Sequence, residues 1–470
     1  MNRRKFFRNS TLSAMGATLL TPFDSLRASH FKGTWKNSTA KNIILLVSDG
    51  MSSGTLNMAD LYLSRKTGAG SNWLGLYREN KVSRALMDMA SASSIVTDSA
   101  AASSSWGGGA RVKNGSLNIG INGEPHLPIW QKFKLAGKKA GCVTTVPITH
   151  ATPAGFCIAQ KSRNDQEPIA EKYLTLGFDL MMGGGNNYFS PDKRKDQKNM
   201  YKAFQKKGFH VAQNRKEMLS APNHKPLLGV FADNGLPYAK DRESNKELLK
   251  NTPSLAEMTQ KAIETLKNHT QGFVLQVEGG KVDWAAHGND IAGLIYDQVA
   301  FDEAVKVAMD FAERDQETLV IITTDHGNAN PGVIYGNTAN DNFDSIQHYT
   351  HTNEWILNGI GKETSIKNVT DRVAYANGFS LTEVEAKTLL SYYKTLQPEE
   401  GLYNPKNLPF KALAEIQKQH NSVGWISMNH SSDYVELALY GPGSHLLKPF
   451  IKNTELHYLM LQAAEVENTF

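Results

Sequence analysis

Short apolar runs recur along the chain, and polar residues and then stretches with helical spacing follow most of them. Runs of this length and composition predict buried β-strands. The clearest helical pattern covers 291–313, where apolar residues recur every three or four positions. Strands that alternate with helices predict an α/β fold with a large, mostly parallel central sheet and helices on both faces. The predicted strands are 42–48, 82–88, 139–146, 179–182, 227–231, 272–278, 318–324 and 434–440.

Two stretches interrupt this alternation. Residues 190–260 are more polar and predict peripheral helices and loops, and residues 335–425 interrupt the pattern again. Within the second stretch, 380–398 has the composition of a helix, but no separate hydrophobic core is evident. We therefore predict one domain over residues 29–470, with an insertion at about 335–425.

Composition and charge are those of a globular protein without a nucleic-acid-binding surface. The 470 residues are 40% hydrophobic and 21% charged, with a formal net charge of +5. Five basic residues and one acidic residue lie in the first 28 positions, so the remainder is nearly neutral. This balance argues against binding to nucleic acid or to a membrane surface. No later segment has the 18 uncharged apolar residues that predict a membrane span.

The N-terminus has the pattern of an export signal. Residues 3–7 (RRKFF) resemble a twin-arginine motif, and a mildly apolar stretch covers 10–20. We expect residues 1–28 to be removed near Ala28, which predicts a periplasmic or extracellular protein. The general export route and a basic tail without a signal function are the alternatives.

The chain has two cysteines, Cys142 and Cys157. Two are too few for a disulfide scaffold, and the first lies in an apolar, strand-like run. Two buried free thiols are the favoured interpretation, and a single disulfide between them is the alternative.

Acidic and imidazole side chains follow three of the predicted strands. Asp49 follows the first strand, Glu278 ends the sixth, and Asp325 and His326 follow the seventh. Because the carboxyl ends of parallel strands open into one crevice, these groups are expected to converge. Buried carboxylates need a compensating cation. The pattern predicts a metal-dependent active site.

Further candidate ligands lie just beyond these strands. Asp283 and His287 are four residues apart and would share one face of a helical turn, a spacing suited to a single zinc ion. His430 precedes the strand 434–440, and taken alone it is more typical of a loop histidine.

Three other residues have the chemistry needed for a phosphoryl group. Asp98 and Ser99 begin a run of small residues typical of a helix N-terminus, where a cation could activate the serine hydroxyl as a nucleophile. The alternative is that one of the two only caps the helix. Thr152 could offer its hydroxyl to a hard cation such as magnesium. Arg163 presents a fork of donors matched to phosphate oxygens, although a lone arginine is often only solvated.

Together these segments resemble the alkaline phosphatase family, whose motifs they follow in order over roughly residues 40–445. The resemblance implies hydrolysis of small phosphate monoesters through a phosphoserine intermediate, with release of inorganic phosphate and an alcohol. It also implies an alkaline-phosphatase-like fold, a homodimer, two Zn²⁺ ions and one Mg²⁺ ion. The segments are Asp49-Gly50-Met51, Thr97-Asp98-Ser99-Ala100, Thr152-Pro153 with Arg163, Val277-Glu278-Gly279, Asp283 to His287, Asp325-His326, and His430 with Tyr440-Gly441-Pro442.

The resemblance also implies a role for each residue. Ser99 would be the nucleophile and Arg163 would bind the phosphate oxygens. One zinc ion would be held by Asp283, His287 and His430, and the second by Asp49, Asp325 and His326. The magnesium ion would be held by Asp49, Thr152 and Glu278.

Two positions beside the metals vary within the family. This chain has His150 and Trp284 there, and it resembles a group that includes cold-adapted marine bacterial forms. Because Trp284 lacks the positive charge of the lysine found in other members, phosphate should be held less tightly. Asn328 stands where some members have a histidine behind the ligands. His351 is an alternative to His430 as the last zinc ligand.

Three other functions are alternatives to phosphate monoester hydrolysis. Sulfatases that resemble this family need a modified residue in a C/S-x-P-x-R setting, which the alanines after Ser99 exclude. Related phosphodiesterases usually have a threonine nucleophile and lack the equivalents of Thr152 and Glu278. A non-catalytic protein that keeps the metals for stability is the rival from another class.

Overall fold

The structure is a computed structural model, and it describes residues 35, 37–396, 404 and 407–469. The predicted export signal, residues 1–28, lies outside the described residues. All eight predicted strands are present, together with six shorter ones. The strands are β1 (Asn42–Val47), β2 (Ser83–Asp88), β3 (Lys139–Pro147), β4 (Leu180–Gly184), β5 (His210–Ala212), β6 (Leu227–Val230), β7 (Phe273–Glu278), β8 (Thr318–Thr323), β9 (Gly327–Asn328), β10 (Gly332–Val333), β11 (Val423–Gly424), β12 (His430–Ser431), β13 (Tyr434–Tyr440) and β14 (Phe450–Lys452).

Ten of these strands form the central sheet, in the order β14-β2-β13-β8-β1-β7-β3-β4-β6-β5. All neighbours in it run parallel except β13, which is antiparallel to β2 and to β8. The two remaining pairs, β10 with β11 and β12 with β9, are short antiparallel ladders. The prediction of a large, mostly parallel sheet is confirmed.

The sequence of β1 explains why this strand lies at the centre. Its side chains point alternately to the two faces of the sheet. Ile44 and Leu46 join the hydrophobic cluster on one face, and Ile43, Leu45 and Val47 join the cluster on the other. The run 43–47, which is apolar at every position, therefore buries both sides of the strand.

Helices cover both faces, as predicted. The helix predicted most clearly, 291–313, corresponds to α13. Asp290 caps its N-terminus by accepting a hydrogen bond from the Gly293 amide. The helices are α1 (Ser53–Thr67), α2 (Asn72–Arg78), α3 (Ser99–Gly108), α4 (Ile129–Leu135), α5 (Ala151–Cys157), α6 (Gln166–Leu176), α7 (Met200–Lys206), α8 (Arg215–Ser220), α9 (Ala239–Glu243), α10 (Lys246–Asn251), α11 (Leu255–Leu266), α12 (Lys281–His287), α13 (Ile291–Asp315), α14 (Ala339–Ser345), α15 (Asn353–Asn358), α16 (Ile366–Asn377), α17 (Glu383–Tyr393), α18 (Phe410–Asn421) and α19 (Asn453–Ala463), with short 3₁₀ turns at Asn186–Tyr188, Ile346–His348 and Ser444–Leu446.

The insertion differs from the expectation in one respect, because it has a hydrophobic cluster of its own. Apolar side chains from α15 to α18 bury one another there, among them Leu357, Val373, Leu389 and Leu413. Each short helix supplies only a few of them, so no single stretch of sequence has the apolar density of a core.

Two other expectations concern the cysteines and membrane-spanning segments. Cys142 and Cys157 are both buried and unbridged, as the favoured interpretation predicted. Within the part of the chain that the structure describes, no helix is long and apolar enough to cross a membrane.

Candidate active site

The carboxyl ends of three adjacent central strands carry the predicted acids. In the sheet, β1 lies between β7 and β8, and Val47 is in register with both Glu278 and Thr323. Asp49 and Asp325 therefore leave the sheet side by side, each two residues beyond its strand. The predicted convergence of these groups at one edge is confirmed.

The first group of candidate ligands is Asp283, His287 and His430, whose ligand atoms all lie within 4.8 Å of one another. Asp283 and His287 share one face of α12, and His430 enters on β12, which pairs with β9. Carboxylate oxygens of Asp283 lie 3.5 Å from His287 Nε2 and 3.6 Å from His430 Nε2. These three residues are the set predicted for the first zinc ion.

Backbone contacts orient both imidazoles of this group. His287 Nδ1 lies 2.7 Å from the Met428 carbonyl oxygen, and His430 Nδ1 lies 3.0 Å from that of Thr97. A neutral ring that donates from Nδ1 presents a lone pair at Nε2. The two Nε2 atoms are only 3.1 Å apart, so two acceptors would face each other. A cation between them resolves that conflict.

The second group is Asp49, Asp325 and His326, all buried. His326 Nε2 lies 3.3 Å from Asp325 Oδ2 and 3.6 Å from Asp49 Oδ1. The Gly50 amide donates to Asp325 Oδ1 at 3.0 Å and fixes that carboxylate. These three residues are the set predicted for the second ion.

Ser99 is directed at the second group. Its Oγ lies 3.2 Å from His326 Nε2, and the side chain is 1% exposed. The preceding residue, Asp98, caps α3 by accepting a hydrogen bond from the Ala101 amide at 2.9 Å. The capping role therefore belongs to Asp98, and the hydroxyl of Ser99 is left facing the candidate ligands.

The third group is Asp49, Glu278 and His150. Thr152 Oγ1 lies 3.4 Å from Asp49 Oδ2, beside the group as predicted. His150 was predicted to lie beside the metals, and one of its nitrogens is within 4.8 Å of an oxygen of each of the two carboxylates. Thr144, which no sequence motif predicted, also contacts this group, since its hydroxyl donates to Glu278 Oε2.

Arg163 lies in the loop after α5 and is partly buried. Its guanidinium donates to Asp98 Oδ2 and to His150 Nε2, each at 3.0 Å. It is therefore held beside the N-terminus of the Ser99 helix rather than solvated. The ring of Trp284 packs edge-to-face against His150, with the centroids 6.2 Å apart.

Two histidines and one asparagine complete the comparison with the sequence. His430, and not His351, joins Asp283 and His287; the His351 ring instead lies 3.9 Å from that of Trp355. Asn328 donates to Asp283 Oδ1 at 2.7 Å, so an amide orients this carboxylate.

The electrostatics of the site call for cations. Burial, followed by the neighbouring Asp325, raises the pKa of Asp49 well above its ordinary value. Burial raises the pKa of Asp325 and that of Glu278 each to about 7. Buried atoms of all three carboxylates and of His150 and His326 have no hydrogen-bond partner among the residues that the structure describes. Unpartnered buried acids cost free energy unless a cation neutralises them, so these side chains fit metal ions.

One protein family and several of its characterised members are similar to this chain in sequence. The sequence matches the model of the alkaline phosphatase family over residues 40–466. It is 32% identical to alkaline phosphatase 4 of Bacillus subtilis over 366 residues, which cover 77% of this chain and 75% of the relative. It is 31% identical to the alkaline phosphatase of Escherichia coli, covering 62% of this chain and 70% of the relative.

Two solved structures have a fold similar to that of this chain. The alkaline phosphatase of Thermus thermophilus superposes with a TM-score of 0.84 at 32% identity, covering 96% of both chains. A cold-active alkaline phosphatase from a psychrophilic Shewanella superposes with a TM-score of 0.76 at 25% identity, covering 90% of this chain and 99% of that one.

Proposed function

Since the chain belongs to the alkaline phosphatase family and hydrolyses phosphate monoesters, we propose that Ser99 is its nucleophile and Arg163 its phosphate-binding residue. The observation that carries this proposal is the 3.2 Å distance between Ser99 Oγ and His326 Nε2, within a buried group of candidate metal ligands. A serine at the start of a helix and beside cation ligands has the two features that favour an alkoxide.

The proposed metals are zinc in the first two groups and magnesium in the third. Groups of imidazole and carboxylate donors suit zinc, and oxygen donors suit magnesium. When bound, such ions supply Lewis acidity that lowers the pKa of a hydroxyl and stabilises a departing oxygen. In the third group, His150 lies beside Asp49, Glu278 and Thr152, but its Nε2 accepts a hydrogen bond from Arg163. The neutral ring then carries its proton on Nδ1 and has no lone pair left for an ion, so the oxygen donors support magnesium. Metal analysis of the purified protein tests the identity of that ion.

The residues of the chain then have distinct tasks. Ser99 Oγ attacks phosphorus as the bond to the alcohol oxygen breaks, which leaves a phosphoserine. Arg163, held by Asp98 and His150, donates hydrogen bonds to the non-bridging oxygens, where charge accumulates. Water then attacks phosphorus from the opposite side, releases phosphate and regenerates Ser99. Two in-line displacements give net retention at phosphorus.

Ser99→Ala is the direct test of the nucleophile. We expect hydrolysis of p-nitrophenyl phosphate to fall by several orders of magnitude while the bound zinc stays unchanged. Ser105→Ala is the matched control, because that buried hydroxyl donates to the Ala102 carbonyl within α3 and lies outside the site. A Ser99→Ala protein that keeps its activity and its metals would exclude the proposed nucleophile.

The alternatives predict other outcomes. A phosphodiesterase would hydrolyse bis-p-nitrophenyl phosphate faster than the monoester. A metal-binding protein without catalysis would show no turnover at full zinc loading. Glu278 belongs to the third group and Thr152 lies beside it. Related phosphodiesterases usually lack both residues, so their presence favours a phosphomonoesterase.

Two further proposals concern the protein in its cell. The twin-arginine-like segment at residues 3–7 supports export, and the family resemblance supports a homodimer. Detection of the protein in a periplasmic or culture fraction tests the first, and light scattering of the purified protein tests the second.

A further inference from the structure

Lys281 is a buried lysine whose ammonium group lies against two aromatic rings. Its side chain is 3% exposed, and it begins α12. The Nζ atom lies 3.6 Å from the ring centroid of Tyr238 and 4.7 Å from that of Trp284. An ammonium over an aromatic face is attracted by the ring quadrupole, most strongly where water is excluded. Lys281 therefore holds the indole of Trp284 from one side.

A glycine confines the same indole from another direction. A Cβ atom placed on Gly235 would lie 2.9 Å from Cζ3 of Trp284 and 3.3 Å from Cδ of Lys281. Such distances are below van der Waals contact, so any larger residue at 235 would displace the indole, the lysine or both. The position of the Trp284 ring is therefore fixed by the Lys281 ammonium over its face and by the backbone of Gly235 beside it.

The position of Trp284 reaches the phosphate-binding residue through one intermediate. The indole packs edge-to-face against His150, and His150 Nε2 accepts a hydrogen bond from Arg163 at 3.0 Å. A shift of the indole would release the His150 ring and, with it, one of the two anchors of the guanidinium. The four side chains form a continuous line of contacts from the start of α12 to the phosphate site.

We propose that Lys281 is a positioning residue for phosphate binding, which acts by holding Trp284 against His150 and so aligning Arg163. The inference rests on the proposed role of Arg163. Lys281 does not touch the substrate. Removing its ammonium group should weaken phosphate binding only as long as Trp284 is present.

The experiment measures the inhibition constant, Ki, of inorganic phosphate against p-nitrophenyl phosphate with zinc-loaded enzyme. Lys281→Met keeps the length of the side chain and removes the charge, and we expect Ki to rise by about threefold or more. Lys281→Arg keeps a cation over the ring, so its Ki should stay within about twofold of the wild-type value. Gly235→Ala displaces the ring from the other side and should also raise Ki.

A double-mutant cycle separates positioning from a general loss of stability. In a Trp284→Ala background, Lys281→Met should have no further effect on Ki, although it should still lower the melting temperature. Lys261→Met is the matched control, since it removes another buried lysine, on α11, and should lower the melting temperature without changing Ki.

Each outcome decides the question. If Ki is unchanged in folded Lys281→Met, or if the increase persists in the Trp284→Ala background, Lys281 does not act through Trp284. Arg163→Ala identifies a failure at the earlier step. If that variant leaves Ki unchanged, the proposed role of Arg163 is wrong; if it raises Ki while Lys281→Met does not, only the role of Lys281 is wrong.

Discussion

Asp98 has two roles in the structure, and two substitutions separate them. Its Oδ1 caps α3 by accepting from the Ala101 amide, and its Oδ2 accepts from the Gly115 amide and from Arg163. Asp98→Asn can keep an oxygen for the cap but turns an amide NH₂ toward the other two donors. Asp98→Ala loses all three hydrogen bonds.

The magnitudes follow from these bonds. An N-cap contributes about 1 kcal/mol, so Asp98→Ala should be less stable than Asp98→Asn by about that amount. Both variants lose the same charged bond to Arg163, and one such bond, about 1.5 kcal/mol net, corresponds to an increase of about tenfold in the Ki of phosphate. Urea denaturation measures the first difference, and inhibition of p-nitrophenyl phosphate hydrolysis measures the second.

A cap elsewhere in the chain provides the control. Asn199 caps α7 by accepting from the Lys202 amide, so Asn199→Ala should lose stability and keep the wild-type Ki. The reasoning is refuted if Asp98→Asn and Asp98→Ala are equally stable, or if both bind phosphate as tightly as the wild type.

Three further predictions can be tested independently. Trp284→Lys should give a lower Ki for phosphate than Trp284→Ala, because both variants lose the indole and only the lysine adds a positive charge beside the site; an equal Ki in the two variants contradicts this. Burial raises the pKa of Asp297 to about 7, so this acid makes the folded protein less stable as the pH rises from about 4 to about 7. Asp297→Asn should therefore raise the free energy of unfolding relative to the wild type at pH 8 and not at pH 4, as measured by urea denaturation. Chelation should abolish activity and lower the melting temperature, because it leaves the carboxylates of Asp49, Asp325 and Glu278 without cations, and added zinc should restore both.

Much of the fold could be predicted because central strands such as β1 and β8 are apolar at most positions. A strand such as β1, buried on both faces, leaves a run that no surface element has. The three residues of β5 and of β14 are too few to leave such a signal. The core of the insertion was missed because its apolar residues are divided among several short helices.

Site residues could be predicted where an acidic or imidazole side chain follows an apolar strand. Acids such as Asp49 and Asp325 stand directly after apolar strands, where a charge has no structural purpose. The position of His150 was harder to predict, because its distance from Asp49 and Glu278 depends on how α5 leaves β3. The contacts of Lys281 depend on the loop that carries Gly235, which is distant in sequence and has no pattern of its own.

In the proposed mechanism, Ser99 forms the bond to phosphorus. Mass spectrometry of peptides from zinc-loaded enzyme, quenched in acid during turnover of a phosphate monoester, tests it most directly. We expect a phosphorylated peptide with the modification on Ser99, absent from the Ser99→Ala protein. Phosphate on another residue, or an active enzyme with no phosphorylated peptide under these conditions, would contradict it.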